Sequence, residues 1–303
     1  MSGRNKKGRD INGIVLLDKD TGLSSNAALQ KVKKLFFAKK AGHTGSLDPL
    51  ASGILPICLG QSTKVAGLLL DDDKRYFVRA RLGQVTSTGD CEGELLSSDT
   101  FDHISEKEII STVNTFVGQI EQIPPMYSAL KRDGIPLYKL ARQGIEVERK
   151  PRKVTIHDIN YINYSNGTLA LDVKCSKGTY IRTLVEDIGN TLGCGAHVIE
   201  LRRTGFARID ISQTVKFSDL QDIETDDFRL LDKKIYATED ILPTLQSIFL
   251  DSDQSIDIKF GRKITYTKNI EPGLVKMFDS EKLFIGIGKS QGDGVISTKR
   301  LFI

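Results

Sequence analysis

The sequence predicts an α+β protein with a separate small β unit at its C-terminal end. Three observations carry this. Residues 12–19, 75–83 and 168–176 have strand patterns. Helical stretches with serine caps or an apolar stripe alternate with them. From about residue 255 the chain changes to short apolar runs divided by Gly-rich turns, as in a small barrel.

A length of 303 residues fits two domains, or one large domain with an appendage. With 39% hydrophobic and 27% charged residues, a sizeable core can be buried. No apolar run approaches the roughly 18 residues of a membrane span. Residues 1–10, MSGRNKKGRD, are basic with no apolar stretch behind them. They read as a solvated arm and not as a secretory signal, and a cytoplasmic protein is expected. Cys58, Cys91, Cys175 and Cys194 form no Cys-x-x-Cys pair. None stands at zinc-ligand spacing from His43, His103, His157 or His197, so they read as reduced packing thiols and no metal site is expected. A net charge of +4 permits a local patch for nucleic acid without establishing one.

In chain order, residues 12–19, NGIVLLDK, read as a buried strand. Thr21 to Ser25 turn into a helix capped by one of the two serines. Leu29, Val32, Leu35 and Phe36 share its inner face, and Lys31, Lys33, Lys34, Lys39 and Lys40 its outer side and end. Those lysines read either as a solvated face answering the helix dipole or as phosphate-facing. In residues 75–83, Tyr76, Val78, Ala80 and Leu82 alternate with Arg75, Phe77, Arg79 and Arg81. Residues 86–94, TSTGDCEGE, are a polar turn. Ser105 to Glu108 form a capping box that opens a helix with Ile109, Val113, Phe116 and Val117 inward. Residues 119–148 interleave Pro-Pro, tyrosines and basic residues. They read as an arm, or as a surface helix ended by Gly144. Leu169, Leu171, Val173 and Cys175 line one side of a further strand. Ile181, Leu184, Val185, Ile188 and Leu192 mark the stripe of the helix after it. Residues 219–232 hold six acidic residues against one Arg, which suggests a hinge or an exposed helix. IDIKF, GLVKMF, KLFIGIGK and GVISTKRLFI are the terminal strands.

Residues 41–60, AGHTGSLDPLASGILPICLG, concentrate the chemistry. Pro49 pushes Asp48 out of the helical region, onto an extended or turning backbone, and Gly42, Gly45 and Gly53 allow tight turns. A carboxylate on such a loop suits a nucleophile or a general base. Asp-Pro is equally a helix start, with Asp48 as N-cap.

GHTGSLDPLASG closely resembles the signature loop of the TruB family of tRNA pseudouridine synthases. KGTYIRTLVEDIGNTLGCGAHVIELRR, residues 177–203, resembles that family's second long motif. The resemblance covers residues 11–215 and weakens beyond. It implies a pseudouridine synthase fold, with a large mixed, mainly antiparallel sheet, flanking helices and a central RNA-binding cleft. It further implies a catalytic domain over 11–215 with an RNA-contacting arm at 119–150, a connecting segment over 216–249 and a PUA-like RNA-binding domain over 250–303. The implied reaction is uridine to pseudouridine at position 55 of the tRNA T-loop, with the base flipped out and no cofactor.

By the same resemblance Asp48 is the catalytic residue, as nucleophile at C1′ or base at C2′. Tyr76 stacks on the target base, Tyr180 supports it and Arg182 pairs with the carboxylate. Lys19 and Lys64 are retained, and Asp20 replaces the family's usual Pro. Lys64 either pairs with a carboxylate or faces the RNA. His43 fills the space left by the flipped base or touches a phosphate. Lys131, Arg132, Lys139 and Arg142 are candidate backbone contacts. The expected partner is the tRNA T stem-loop, with no guide RNA and no membrane, and the protein acting as a monomer. Residues from about 250 onward are expected to add RNA affinity but no chemistry. The alternative is a non-catalytic RNA-binding or RNA-folding module.

Overall fold

The computed structural model describes residues 7–223, 228–242 and 244–302. Residues 1–6 of the expected basic arm, 224–227 of the acidic stretch and Pro243 lie outside the described residues.

All seven residues of β1 (Gly13–Lys19) are buried, because sheet neighbours and two packed layers enclose the strand. Ser24 caps α1 (Ser25–Leu35), its hydroxyl accepting from the Ala27 amide. Then come β2 (Ala41–His43), β3 (Ser52–Leu59) and β4 (Lys74–Leu82). The predicted capping box opens α2 (Glu106–Thr115). After it follow β5 (Gly118–Gln122), α3 (Leu137–Ala141), β6 (Arg152–Ser165), β7 (Thr168–Cys175), α4 (Ile181–Thr191), β8 (Ala196–Phe206) and β9 (Val215–Lys216). These strands belong to one ten-stranded mixed sheet in the order β9-β1-β3-β8-β4-β7-β6-β5, with β2 beside β3 and Ile209–Asp210 beside β8. Helices α1, α2 and α4 pack on one face of it and bury Val32, Ile109 and Leu184 with the inward residues of β4 and β7. Among the described residues no helix is long and apolar enough to cross a membrane.

One close approach fixes the middle of the sheet. β3 and β8 meet in parallel, with Gly53 opposite Arg203. A Cβ on Gly53, whose φ is +99°, would lie 2.2 Å from the Arg203 carbonyl oxygen, so only glycine fits. Pro56 lies inside β3, where its missing N–H does no harm. Its carbonyl accepts from Thr44, so its nitrogen points to the side on which β2 has ended.

Several sequence readings need correction. Strands β6 and β8 escaped the period-two reading. Bulges shift their register, near His157 and Ile162 in one and near Ile199 and Thr204 in the other. IDIKF is not a strand: it lies in and just after α7 (Ser252–Lys259), which Asp251 and Gln254 open with a reciprocal capping box. Its Ile-Asp-Ile alternation instead sends Ile258 inward and leaves Ile256 outside. Val117 follows the end of α2 and is exposed. Residues 119–122 of the expected arm belong to β5, an edge strand of the main sheet.

The described residues of the acidic stretch, 219–223 and 228–232, are docked and not free. Leu220 in α5 (Phe217–Gln221) and Leu231 in α6 (Phe228–Asp232) are fully buried in the main core. Arg9 lies 4.2 Å over the Phe228 ring and pairs with the Asp232 carboxylate.

The C-terminal unit is a five-stranded sheet. β10 (Gln246–Phe249), β11 (Gly273–Phe278), β12 (Phe284–Ser290) and β13 (Val295–Leu301) run in that order, with Ile264–Thr265 beside β13. It docks on the back of the main sheet. Ile287, Leu274, Phe284 and Phe302 join Ile14, Leu16 and Ile54 in one apolar cluster. Lys64 closes the seam by donating to the Leu301 carbonyl at 2.6 Å.

This seam carries stability as well as position. Ile287→Ala is expected to lower the unfolding free energy by about 2–5 kcal/mol, as for other buried large-to-Ala changes. Deleting residues 250–303 should destabilise the remaining chain and not merely remove a binding surface. Urea unfolding of each protein checks this; an unchanged midpoint for the truncated chain would show that the seam contributes nothing.

Candidate active site

The Asp48 loop is tied down on both sides of the carboxylate. Ser25, the first residue of α1, takes up both polar groups of Leu47. Its hydroxyl accepts from the Leu47 amide at 2.7 Å and donates to the Leu47 carbonyl at 3.0 Å. On the other side the Pro49 carbonyl accepts from the Gly22 amide at 2.8 Å. No helix follows Pro49; the chain passes straight into β3, so Asp48 is not an N-cap.

Lys19 is part of that tie and not a substrate-facing cation. It is 1% exposed, and its ammonium donates to the carbonyls of Asp20 at 2.9 Å, Leu23 at 2.7 Å and Pro49 at 3.5 Å. Burial lowers its pKa to about 8. Asp20 supplies one of the three carbonyls through its backbone.

Arg182, in the first turn of α4, reaches Asp48. The start of that helix is fixed by buried Gln122 of β5. The Gln122 side chain donates to the Tyr180 carbonyl at 3.2 Å and accepts from the Tyr180 amide at 3.0 Å. Arg182 is 4% exposed, and each of its nitrogens has a partner. Nε lies 3.0 Å from Asp48 Oδ2. Nη1 donates to the Thr88 carbonyl at 2.7 Å and lies 3.4 Å from Asp90 Oδ2. Nη2 donates to the Tyr127 carbonyl at 2.7 Å.

Asp48 keeps 41% of its side-chain surface exposed, so one edge of the carboxylate is open. Burial of the other edge raises its pKa above the usual carboxylate range. Arg182 pulls it back, Asp90 pushes it up and Lys19 pulls it back again. The net direction is upward: the guanidinium offsets only part of the desolvation.

Asp48 and Arg182 open onto a cavity of about 550 Å³, a size suited to a small planar ligand. Tyr76, Tyr180, His43, Tyr127, Leu201 and Arg203 also line it. Tyr76 lies at the end of the inward row of β4, against Arg203, and burial raises its phenol pKa. Burial also raises the pKa of Tyr180, so both rings stay neutral. Arg203 is itself buried, with Nε donating to the Ile54 carbonyl at 2.7 Å. Burial, and then Arg203, lower the pKa of His43, which keeps the imidazole neutral. His43 Nδ1 is buried with no partner among the described residues.

The remaining candidates lie elsewhere. Lys64 is on the domain seam, away from the cavity lining. Lys131, Arg132, Lys139 and Arg142 are exposed on a two-strand hairpin and on α3. None lines the cavity, yet residues 127–130 at the root of the same arm form one of its walls. Asp90, Thr88, Gln122, Tyr127 and Arg203 were missed from sequence. Asp90 had one signal, a carboxylate beside glycine in a tight polar turn, where its 3% exposure calls for a cationic partner.

Comparison with known proteins covers nearly the whole chain. Residues 33–181 match the N-terminal domain model of the TruB family pseudouridylate synthases. Residues 182–243 match the tRNA pseudouridylate synthase B C-terminal domain, and residues 247–302 the pseudouridine synthase II TruB C-terminal model. The chain is 47% identical to tRNA pseudouridine synthase B of Nitrosococcus oceani, over 98% of this chain and 97% of that protein. It is 46% identical to the protein of that name from Actinobacillus pleuropneumoniae, over 99% of each. Among solved structures it is similar to a chain of a Cbf5–Nop10–Gar1 complex, with TM-score 0.73 and 25% identity over 96% of this chain and 85% of that one. A chain of the archaeal box H/ACA Nop10–Cbf5 complex has TM-score 0.72 at 22% identity, over 100% of this chain and 93% of that one, a likeness of fold.

Loss of Arg182 takes the cationic partner from two carboxylates at once. Arg182→Met leaves Asp90 buried and unpaired, at an expected cost of about 3–5 kcal/mol. It also removes the main influence that lowers the Asp48 pKa, so Asp48 should hold its proton to higher pH than in the wild type. Carboxyl ¹³C titration and denaturant unfolding check the two effects. An Asp48 titration unmoved in Arg182→Met would show that the pair does not tune the carboxylate.

Proposed function

This chain belongs to the TruB family of pseudouridine synthases, and from that premise we infer that it isomerises uridine to pseudouridine at position 55 of tRNA, through Asp48. The observation that carries the reading is the Asp48–Arg182 pair, 3.0 Å apart, at a cavity walled by Tyr76 and Tyr180. The reaction breaks the C1′–N1 bond and joins C1′ to C5 of the same uracil. The C5 proton leaves and N1 gains one, so no atom is added and no electron transferred overall.

Asp48 is suited to attack C1′ or to take a proton from C2′, because its open edge faces the cavity while Arg182 fixes the other. Arg182 acts as an orienting cation whose planar fork a lysine would not reproduce. A uridine in folded RNA must be flipped out, at a cost of a few kcal/mol. The faces of Tyr76 and Tyr180 offset this, at about 1–3 kcal/mol per stacked base. The neutral His43 offers one hydrogen bond beside the flipped base. The exposed cations of the arm hold the backbone, and the shape of the T-loop supplies specificity. The substrate is tRNA, and the protein acts as a monomer and without a guide RNA. Supporting the tRNA assignment is its near-full-length similarity to proteins named for tRNA.

The test uses an unmodified tRNA transcript and no added cofactor, followed by mapping of pseudouridine. Modification at position 55 is expected. Asp48→Asn should lower the rate by more than about a thousandfold, the scale on which loss of a reacting group acts, while tRNA affinity persists. Pseudouridine at another position would overturn the substrate assignment. Substantial turnover by Asp48→Asn, with deamidation excluded, would remove Asp48 from the chemistry.

A further inference from the structure

A third carboxylate lies behind the turn that receives Arg182. Glu186 stands one helical turn after Arg182 in α4, on the same face. Its side chain packs directly against Gly89. A Cβ there would lie 2.7 Å from Glu186 Oε1 and 2.9 Å from its carboxyl carbon. Gly89, with φ +70°, sits between Thr88, whose carbonyl accepts from Arg182, and Asp90, which pairs with it. The opposite side of the turn is held by β8: the Gly89 carbonyl accepts from the Val198 amide at 3.0 Å, and the Cys91 amide donates to the Val198 carbonyl at 2.9 Å. The turn is thus held between β8 and Glu186.

One guanidinium lies among three carboxylates here and pairs with two of them. Asp48 and Asp90 are within pairing distance of Arg182. Glu186 has no ion pair or hydrogen bond among the described residues. Burial pushes its pKa up to about 7, with Arg182 opposing and Asp187 and Asp90 adding to the rise. Those three are the charged groups acting on it, two on its own helix and one on the facing turn.

We propose that Glu186 is a positioning residue for the isomerisation, seating the Thr88–Asp90 turn while protonated and drawing Arg182 away from Asp48 when it ionises. The proposal rests on Asp48 being the reacting group. With a proton, Glu186 is a neutral wedge under Gly89 and the guanidinium serves two anions. Without it, a third anion one helical turn away competes for the same cation, and Asp48 loses its fixed direction.

The test is the single-turnover rate on saturating unmodified tRNA from about pH 6 to about pH 9, for wild type, Glu186→Gln and Glu186→Ala. The wild-type rate should fall by about tenfold on the alkaline side, the equivalent of one pKa unit of coupling. Glu186→Gln, which mimics the protonated form, should lack that fall. Glu186→Ala should be slow at every pH, because the turn loses its support. Stability gives a second reading. The folded chain holds this proton up to about pH 7 and the unfolded chain only to its ordinary 4.5, so the wild type loses stability as pH rises between the two. Glu186→Gln should therefore melt higher than wild type at about pH 8 and not at about pH 4. If Glu186→Gln does not fold, carboxyl ¹³C titration of Glu186 in the wild type decides, and a midpoint in the ordinary glutamate range overturns the proposal. If wild type makes no pseudouridine, the proposed function falls. If it does and Glu186→Gln tracks its pH profile, only this proposal falls.

Discussion

A half-exposed carboxylate held against a buried guanidinium is the constraint on which the site depends. Taking an arginine out of water costs several kcal/mol, and only a complete set of acceptors offsets that cost. Arg182 has that set: two carboxylates and two carbonyls, from the Asp48 loop, the Thr88–Asp90 turn and Tyr127. These four acceptors come from three different stretches of chain. A shift in any of them leaves a buried charge short of a partner, so the pair ties three loops to one helix start. Asp48 gains direction from the fit without giving up its open edge.

The sheet supplies the precision that loops alone would lack. Ser25 fixes the loop before Asp48 from α1, which follows directly on β1. Gln122 fixes the start of α4 from the edge strand β5, at the far end of the sheet from β9. The distance between Asp48 and Arg182 is therefore set by the width of the sheet between those anchors. Gly53 lets β3 and β8 approach closely in the middle of that span. The C-terminal unit closes the opposite face, so Ile14, Leu16 and Ile54 are buried on the side away from the cavity.

Residues whose local chemistry is self-contained were legible in the sequence. The Asp48 loop, the Ser24 cap, the Ser105–Glu108 box and the alternation of β4 and β7 each declare themselves within a few positions. Features that depend on distant partners did not. β6 and β8 are bulged, and each bulge resets the alternation that reveals a strand. Asp90 looks like a solvated turn residue until α4 brings Arg182 to it. Lys19 and Lys64 misled for one physical reason. A lysine in sequence suggests a solvent-facing cation, whereas here Lys19 ties backbone carbonyls together and Lys64 donates to one carbonyl across the seam. The 219–232 stretch misled because its acidic residues hid two leucines that are fully buried.

The division of labour between lysine and arginine around the cavity follows from the same electrostatics. Lys19 and Lys74 are both buried, and burial lowers each to a pKa of about 8. Lys74 also donates to carbonyls, those of Leu70 and Asp72, in the loop that flanks the cavity. An ammonium in that setting is close to losing its charge, so it makes a poor permanent counter-ion. It remains a good three-way donor for closing a turn. A guanidinium does not give up its proton in a protein. Arg182 and Arg203 therefore keep their own charges as pH varies: Arg182 against the carboxylate, Arg203 against Tyr76 and His43. Because burial, and then Arg203, depress His43, the imidazole adds no cation beside Asp48. The carboxylate then answers chiefly to burial and to the one guanidinium that holds it.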